Sequence, residues 1–210
     1  MTLAVLSESQ ADEAAIRILV NGILGRETHP VVGLPLRSRG WPSVLNVLPS
    51  VLKHLYYRTD AEAFVVVVDS NTSPVHQIGH NLPAAALDGC RFCQLQQAIE
   101  QVQSQFAQVH ARPRIETAVG LAVPAMEAWY LCGRDARVSE ATWANALQSG
   151  TFPYTKSTLK ESVYDTDRPS LQHETARSVE EARRLAANLH LLETLFPNGF
   201  GVLARQIRDW

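Results

Sequence analysis

Long apolar stretches are missing. The longest hydrophobic runs are strand-sized and fall short of what a bilayer crossing requires, so no membrane partner is expected. Cysteine is scarce and odd in number. Three residues fit free thiols in a reducing cytoplasm better than a secreted disulfide framework. The N-terminus has no basic segment followed by a long apolar stretch, so no signal peptide is expected and the location predicted is cytoplasmic. Charge of either sign is modest: net charge is −2 and charged residues make up 19%. A stand-alone, high-affinity nucleic-acid binder usually carries a basic footprint, which is lacking here. That lack does not exclude a nuclease whose partner subunit supplies the grip. Internal repeats and low-complexity tracts are also absent, while 46% hydrophobic residues in 210 provide ample material for a core.

The order of elements predicts an α/β fold. Residues 2–7 read as a strand, and Ser9 to Leu24 as a helix stopped by Gly25. Residues 26–41 read as loop, and Ser43 to Tyr57 as a helix. The run at 63–68 is apolar on both faces, which implies a central strand in a covered, mainly parallel sheet. A long connection, 70–91, leads to a helix from Cys90 to Val109, then a strand at 114–122 and a short helix from Ala125 to Leu131. This is a sheet with crossover connections and helices on its faces. From Gly133 the pattern turns helical, roughly 139–148, 157–163, 178–195 and 199–209. The division expected is an α/β domain over 1–132 and a helical extension, 133–210, packed on it.

Two apolar strands deliver acids at their carboxyl ends: Leu3-Ala4-Val5-Leu6 leads to Ser7-Glu8, and Phe64-Val65-Val66-Val67-Val68 leads to Asp69-Ser70-Asn71. Ligands of open α/β sheets bind in the crevice beyond those ends. Mg²⁺ takes a few carboxylate oxygens together with water and substrate phosphate. The pattern therefore points to a metal-dependent enzyme acting on phosphate esters. Glu8 and Asp12 also have a plainer reading as first-turn acids favoured by the helix dipole. Asp69 has one as a cap of the following turn.

The segment Glu8-Ser9-Gln10-Ala11-Asp12 resembles the Glu-Gly-x-Thr-Glu signature that opens many small bacterial TOPRIM proteins, and Asp69-Ser70-Asn71 resembles their Asp-x-Asp. Val123-Pro124-Ala125-Met126-Glu127-Ala128-Trp129 is similar to the Ile-Pro/Ala-x-x-Glu-x-Trp element of uncharacterised TOPRIM families. That element also occurs in relatives of the OLD (overcoming lysogenization defect) nucleases. Tyr154-Thr155-Lys156 with Leu159 resembles a proline-lysine-x-x-leucine element, and Gly199 to Ala204 resembles the closing helix of the same proteins. The resemblance implies a TOPRIM-like sheet and phosphodiester chemistry dependent on Mg²⁺ (or Mn²⁺). Glu8 would be the general acid/base, and Glu8, Asp69, Asn71, Glu127 and Asp12 the metal-ligand candidates. Lys156 would offset charge in the transition state. It also implies nucleic acid as substrate, DNA rather than RNA, with an ATPase partner subunit in anti-phage defence. Two departures stand out. Ser9 replaces Gly, and Asn71 replaces the second Asp, which removes one ligand charge. The second departure keeps an alternative open: a catalytically silent TOPRIM module serving assembly or regulation.

A competing group lies in the long connection. His76 and His80 are spaced i, i+4, and Cys90 and Cys93 form a Cys-x-x-Cys pair, four residue types that bind zinc. The order is the reverse of a common finger. Asp88-Gly89-Cys90-Arg91 moreover resembles a TOPRIM helix start where cysteine has no zinc partner. The expectation is therefore that the four do not converge and zinc is absent. Arg26, Arg37 and Arg39 are further candidates for phosphate contact, as forked anion binders.

Overall fold

The computed structural model describes residues 1–31, 40–81, 89–106 and 113–210. Among these, four strands form one sheet: β1 (Thr2–Leu6), β2 (His29–Pro30), β3 (Ala63–Asp69) and β4 (Glu116–Ala122). Their order is β2-β1-β3-β4 and every pairing is parallel. All seven residues of β3 are buried, as a central strand covered on both faces must be.

Helices α1 (Gln10–Leu24), α2 (Gly40–Arg58) and α3 (Arg91–Ser104) make the crossovers. Right-handed connections put helices on opposite faces when the chain reverses direction across a sheet. The chain moves from β1 outward to β2, then back across to β3 and on to β4. Accordingly α2 and α3 pack together on one face. On the other face lie α1 and α9 (Phe200–Arg208), against β1 and β4. Between them in sequence come α4 (Met126–Tyr130), α5 (Glu140–Ser149), α6 (Lys156–Tyr164), α7 (Leu171–Ala186) and α8 (Leu189–Leu195). Helix α7 packs along α1. A single hydrophobic cluster runs from Leu3 through Trp129 and Tyr164 to Ile207, so the helices after residue 132 share the core of the sheet. No helix among the described residues is long and apolar enough to cross a membrane.

Three boundaries differ from the sequence pattern. β2 falls in the segment read as loop; two exposed residues, one a proline, give no strand signature, and Pro30 is tolerated because the strand is an edge. Helix α2 starts at Gly40, ahead of Ser43, since a proline in the first turn has no hydrogen bond to lose. The helix expected over 178–195 is two. Ser170 caps α7 eight residues before the expected start, and Asn188 caps α8 by accepting the Leu191 N–H at 3.4 Å. The first turns of α7 are too polar to register as an apolar stripe.

Closure of α9 onto the sheet depends on two details. Glu140, buried at the start of α5, accepts the Gly199 N–H at 2.8 Å and the Asn198 amide Nδ2 at 2.7 Å. Gly199 itself comes so near β4 that a Cβ there would lie 2.2 Å from the Leu121 carbonyl oxygen.

Candidate active site at the carboxyl edge

The chain leaves β1 for one side of the sheet and β3 for the other, so the crevice between their carboxyl ends is the topological switch point, where open α/β sheets bind ligands. Register pairs Leu6 with Val66. The two residues after β1 therefore run on beside the end of β3, and Glu8 Oε1 accepts the Asp69 backbone N–H at 3.0 Å. Ser9 caps α1 with φ −144°, accepting the Asp12 N–H at 3.1 Å and donating to Asp12 Oδ2 at 2.8 Å. An extended backbone there has no need of glycine, so serine fits the position.

Asp69 is held at every polar atom. Its carbonyl accepts Arg91 Nη1 at 2.6 Å, Oδ1 accepts the Met126 N–H at 3.1 Å, and Oδ2 faces the Lys156 ammonium in a short ion pair. Asp69 thus holds the first N–H of α4, a role different from capping its own following turn, and also stands at the centre of a charged group. Arg91 reaches Glu8 Oε1 at 3.8 Å and lies over the Trp41 ring, 5.0 Å from its centroid. Glu127, on α4, is buried and has Lys160 Nζ 3.8 Å from Oε1.

Electrostatics bind these side chains into one set. Burial, followed by the charge of Asp69, pushes Glu127 up to about 7. Burial and Asp69 also raise Glu8, and burial with Asp69 and Glu127 raises Asp12 well above the usual carboxylate range. Burial acts to lower the Lys156 ammonium. Asp69, with Glu127 and Glu8, outweighs it, and the net shift is upward. The ends of β1 and β3, the first turn of α1 and the short helix α4 therefore concentrate acids that repel one another in a desolvated crevice. Hard oxygen donors of this kind suit Mg²⁺ in donor chemistry. Among the described residues, however, no three of these carboxylates bring ligand atoms as close together as the His/Cys group described below.

Asn71 lies beside the cluster with its backbone engaged: its N–H donates to Pro124 O at 2.8 Å, and its carbonyl accepts Trp143 Nε1 at 3.1 Å. Its φ of 49° is left-handed, a conformation asparagine tolerates better than most residues. Arg26 is displaced from the crevice. It follows the C-terminus of α1 while Glu8 precedes the N-terminus, and 15 helical residues separate the two by about 22 Å. Arg37 and Arg39 lie outside the described residues. Two cations escaped the sequence reading, Arg91 and Lys160. Lys160 could have been found, since it sits one turn after Lys156 on a predicted helix.

No protein-family model, curated protein or solved structure matches this chain. Its chemistry has to be read from its own residues.

The expectation that the histidines and cysteines stay apart is overturned. One ligand atom from each of His76, His80, Cys90 and Cys93 lies within 4.8 Å of every other. A 3-10 turn at Ile78–Asn81 brings His80 back beside His76, the rings meeting edge-on at 5.4 Å. Cys90, the N-cap of α3, and Cys93, in its first turn, then point to the same place. Spacing along the chain concealed this because it does not show that the segment just after β3 lies beside the first turn of α3.

Proposed function

We propose that this chain is a Mg²⁺-dependent nuclease or nuclease subunit that cleaves phosphodiester bonds in nucleic acid, DNA in preference to RNA, together with an ATPase partner in anti-phage defence. The observation that carries the reading is the meeting of Glu8, Asp69, Asp12 and Glu127 with Lys156, Lys160 and Arg91 at the switch point of a parallel sheet. The resemblance of these segments to TOPRIM proteins supplies the reaction class. Glu8, Asp69 and Glu127 would hold the cation, with the amide oxygen of Asn71 and the carboxylate of Asp12 as further oxygen donors. When bound, Mg²⁺ offsets charge on the scissile phosphate and acidifies a coordinated water.

The chain's own groups divide the remaining work. Glu8, whose pKa is raised, can take or return a proton at its second carboxylate oxygen, but it cannot do this and ligate through the same oxygen at once. Lys156, a little less than half exposed, combines a partner in the crevice with access to solvent, which suits contact with a substrate phosphate.

One observation favours a second reading, the silent module. All four polar atoms of Asp69 already have protein partners, and the Lys156 ammonium stands where a cation would act. The test is cleavage of single- and double-stranded DNA and RNA with Mg²⁺ or Mn²⁺, with and without an ATPase partner. Glu8→Gln is expected to abolish cleavage while preserving the fold, and Asn71→Asp to raise metal affinity. An inert parent chain under all these conditions transfers the conclusion to the silent module. Cleavage retained in Glu8→Gln places the catalytic centre elsewhere.

A further inference from the structure

We propose that His76, His80, Cys90 and Cys93 form a structural zinc site, separate from the acidic crevice. Tetrahedral zinc with Zn–S near 2.3 Å and Zn–N near 2.0 Å requires N···S separations of about 3.5 Å. His76 Nδ1 lies 3.8 Å from Cys90 Sγ and 3.7 Å from Cys93 Sγ, within a few tenths of that figure. The fourth side chain, His80, comes within 4.8 Å of the others. Two thiolates and two imidazoles are the donors of closed zinc sites; hard cations such as Mg²⁺ prefer oxygen.

The surroundings are those of a built site. His76 and Cys90 are buried, His76 stacks on Phe92 at 4.0 Å between ring centroids, and the three free cysteines form no disulfide. The ligands come from the segment that leaves β3 and from the first turn of α3. A zinc ion would clip those two together. Arg91 lies between the two cysteines and holds the Asp69 carbonyl and Glu8, so the clip fixes one wall of the carboxylate cluster. The site does not depend on the nuclease reading, because a silent module would need the same clip.

The test begins with the full-length chain, purified under reducing conditions without chelator. Elemental analysis should find one zinc per chain. After the metal is stripped, titration with Co²⁺ should give tetrahedral ligand-field bands and a thiolate charge-transfer band that saturate at one equivalent, in the presence of excess Mg²⁺. Cys93→Ser and His80→Ala should each lose at least ten-fold in zinc retained through gel filtration. The cobalt titration of the parent chain keeps the test decisive even where a variant fails to fold. Three results overturn the proposal: a parent chain with neither zinc nor a cobalt–thiolate band, the same band undiminished in Cys93→Ser, or a metal-free chain that takes up no cobalt and joins Cys90 to Cys93 on mild oxidation.

Discussion

Replacing Lys156 by methionine removes the ammonium that faces Asp69 Oδ2 and keeps most of the aliphatic stem. Breaking one side of a fully buried ion pair costs about 3–5 kcal/mol, because the remaining charge is left without compensation. Asp69 is 8% exposed but Lys156 is 43% exposed, so solvent screens the pair and the cost falls to about 1–3 kcal/mol. Met126 N–H and Arg91 stay in place and prevent a larger loss. The variant frees one oxygen of Asp69 for a cation, so Mg²⁺ should stabilise it more than the parent. At ten times Kd the added stability is about 1.4 kcal/mol. Urea denaturation of both chains, each with and without Mg²⁺, measures all four values. A variant as stable as the parent would show that the ion pair contributes nothing. A variant destabilised as expected but indifferent to Mg²⁺ would refute the argument that Lys156 occupies a cation's place.

Two further outcomes follow from buried acids. Glu140→Ala removes the acceptor for the N–H groups of Asn198 and Gly199 and should cost about 2–5 kcal/mol, with Glu140→Gln costing less because one acceptor oxygen remains; denaturation of an Ala variant within 0.5 kcal/mol of the parent, on the order of an ordinary surface change, counts against it. Glu127 is held near 7 when folded against an ordinary 4.5, so the metal-free chain binds the extra proton between those values and its stability falls as pH rises from 4.5 to 7. The fall from this group is about 3 kcal/mol. Glu127→Gln should flatten it, and an unchanged pH profile in that variant would show that another group is responsible.

The parts of the fold legible in the sequence are those where one element imposes one pattern. Phe64 to Val68 has no polar residue on either face and can only be a covered central strand. Glu8 and Asp69 were legible for the same reason, since each follows directly from a strand whose direction is known. Lys160 and Arg91 gain their meaning only from partners on other elements, Glu127 and Asp69. Likewise Glu140 reads as an ordinary first-turn acid until α9 is placed against it. The His/Cys group was visible as composition but not as geometry, because its convergence depends on the path of the connection after β3. The resemblance suggested a role for Lys156 but gave no sign that it would sit on Asp69.

That contact shapes what the crevice can do. Four carboxylates, Glu8, Asp12, Asp69 and Glu127, face three cationic side chains among the described residues, Arg91, Lys156 and Lys160. With every group ionised the set carries one excess negative charge. Burial and mutual repulsion raise Asp12 and Glu127, and Glu127, pushed up to about 7, carries a proton part of the time around neutral pH and so reduces that excess. The metal-free crevice is therefore close to balanced, and a divalent cation can enter only by releasing protons or displacing an ammonium. Asp69 Oδ2 has Lys156 as its partner, and Lys156 is the more exposed member of the pair, so it is the ammonium most easily moved. Once displaced, it would carry its charge to the mouth of the crevice, where a phosphate diester would arrive. Cation and phosphate would then bind more tightly together than apart. Lys156→Met should abolish that coupling even while it improves binding of the cation alone.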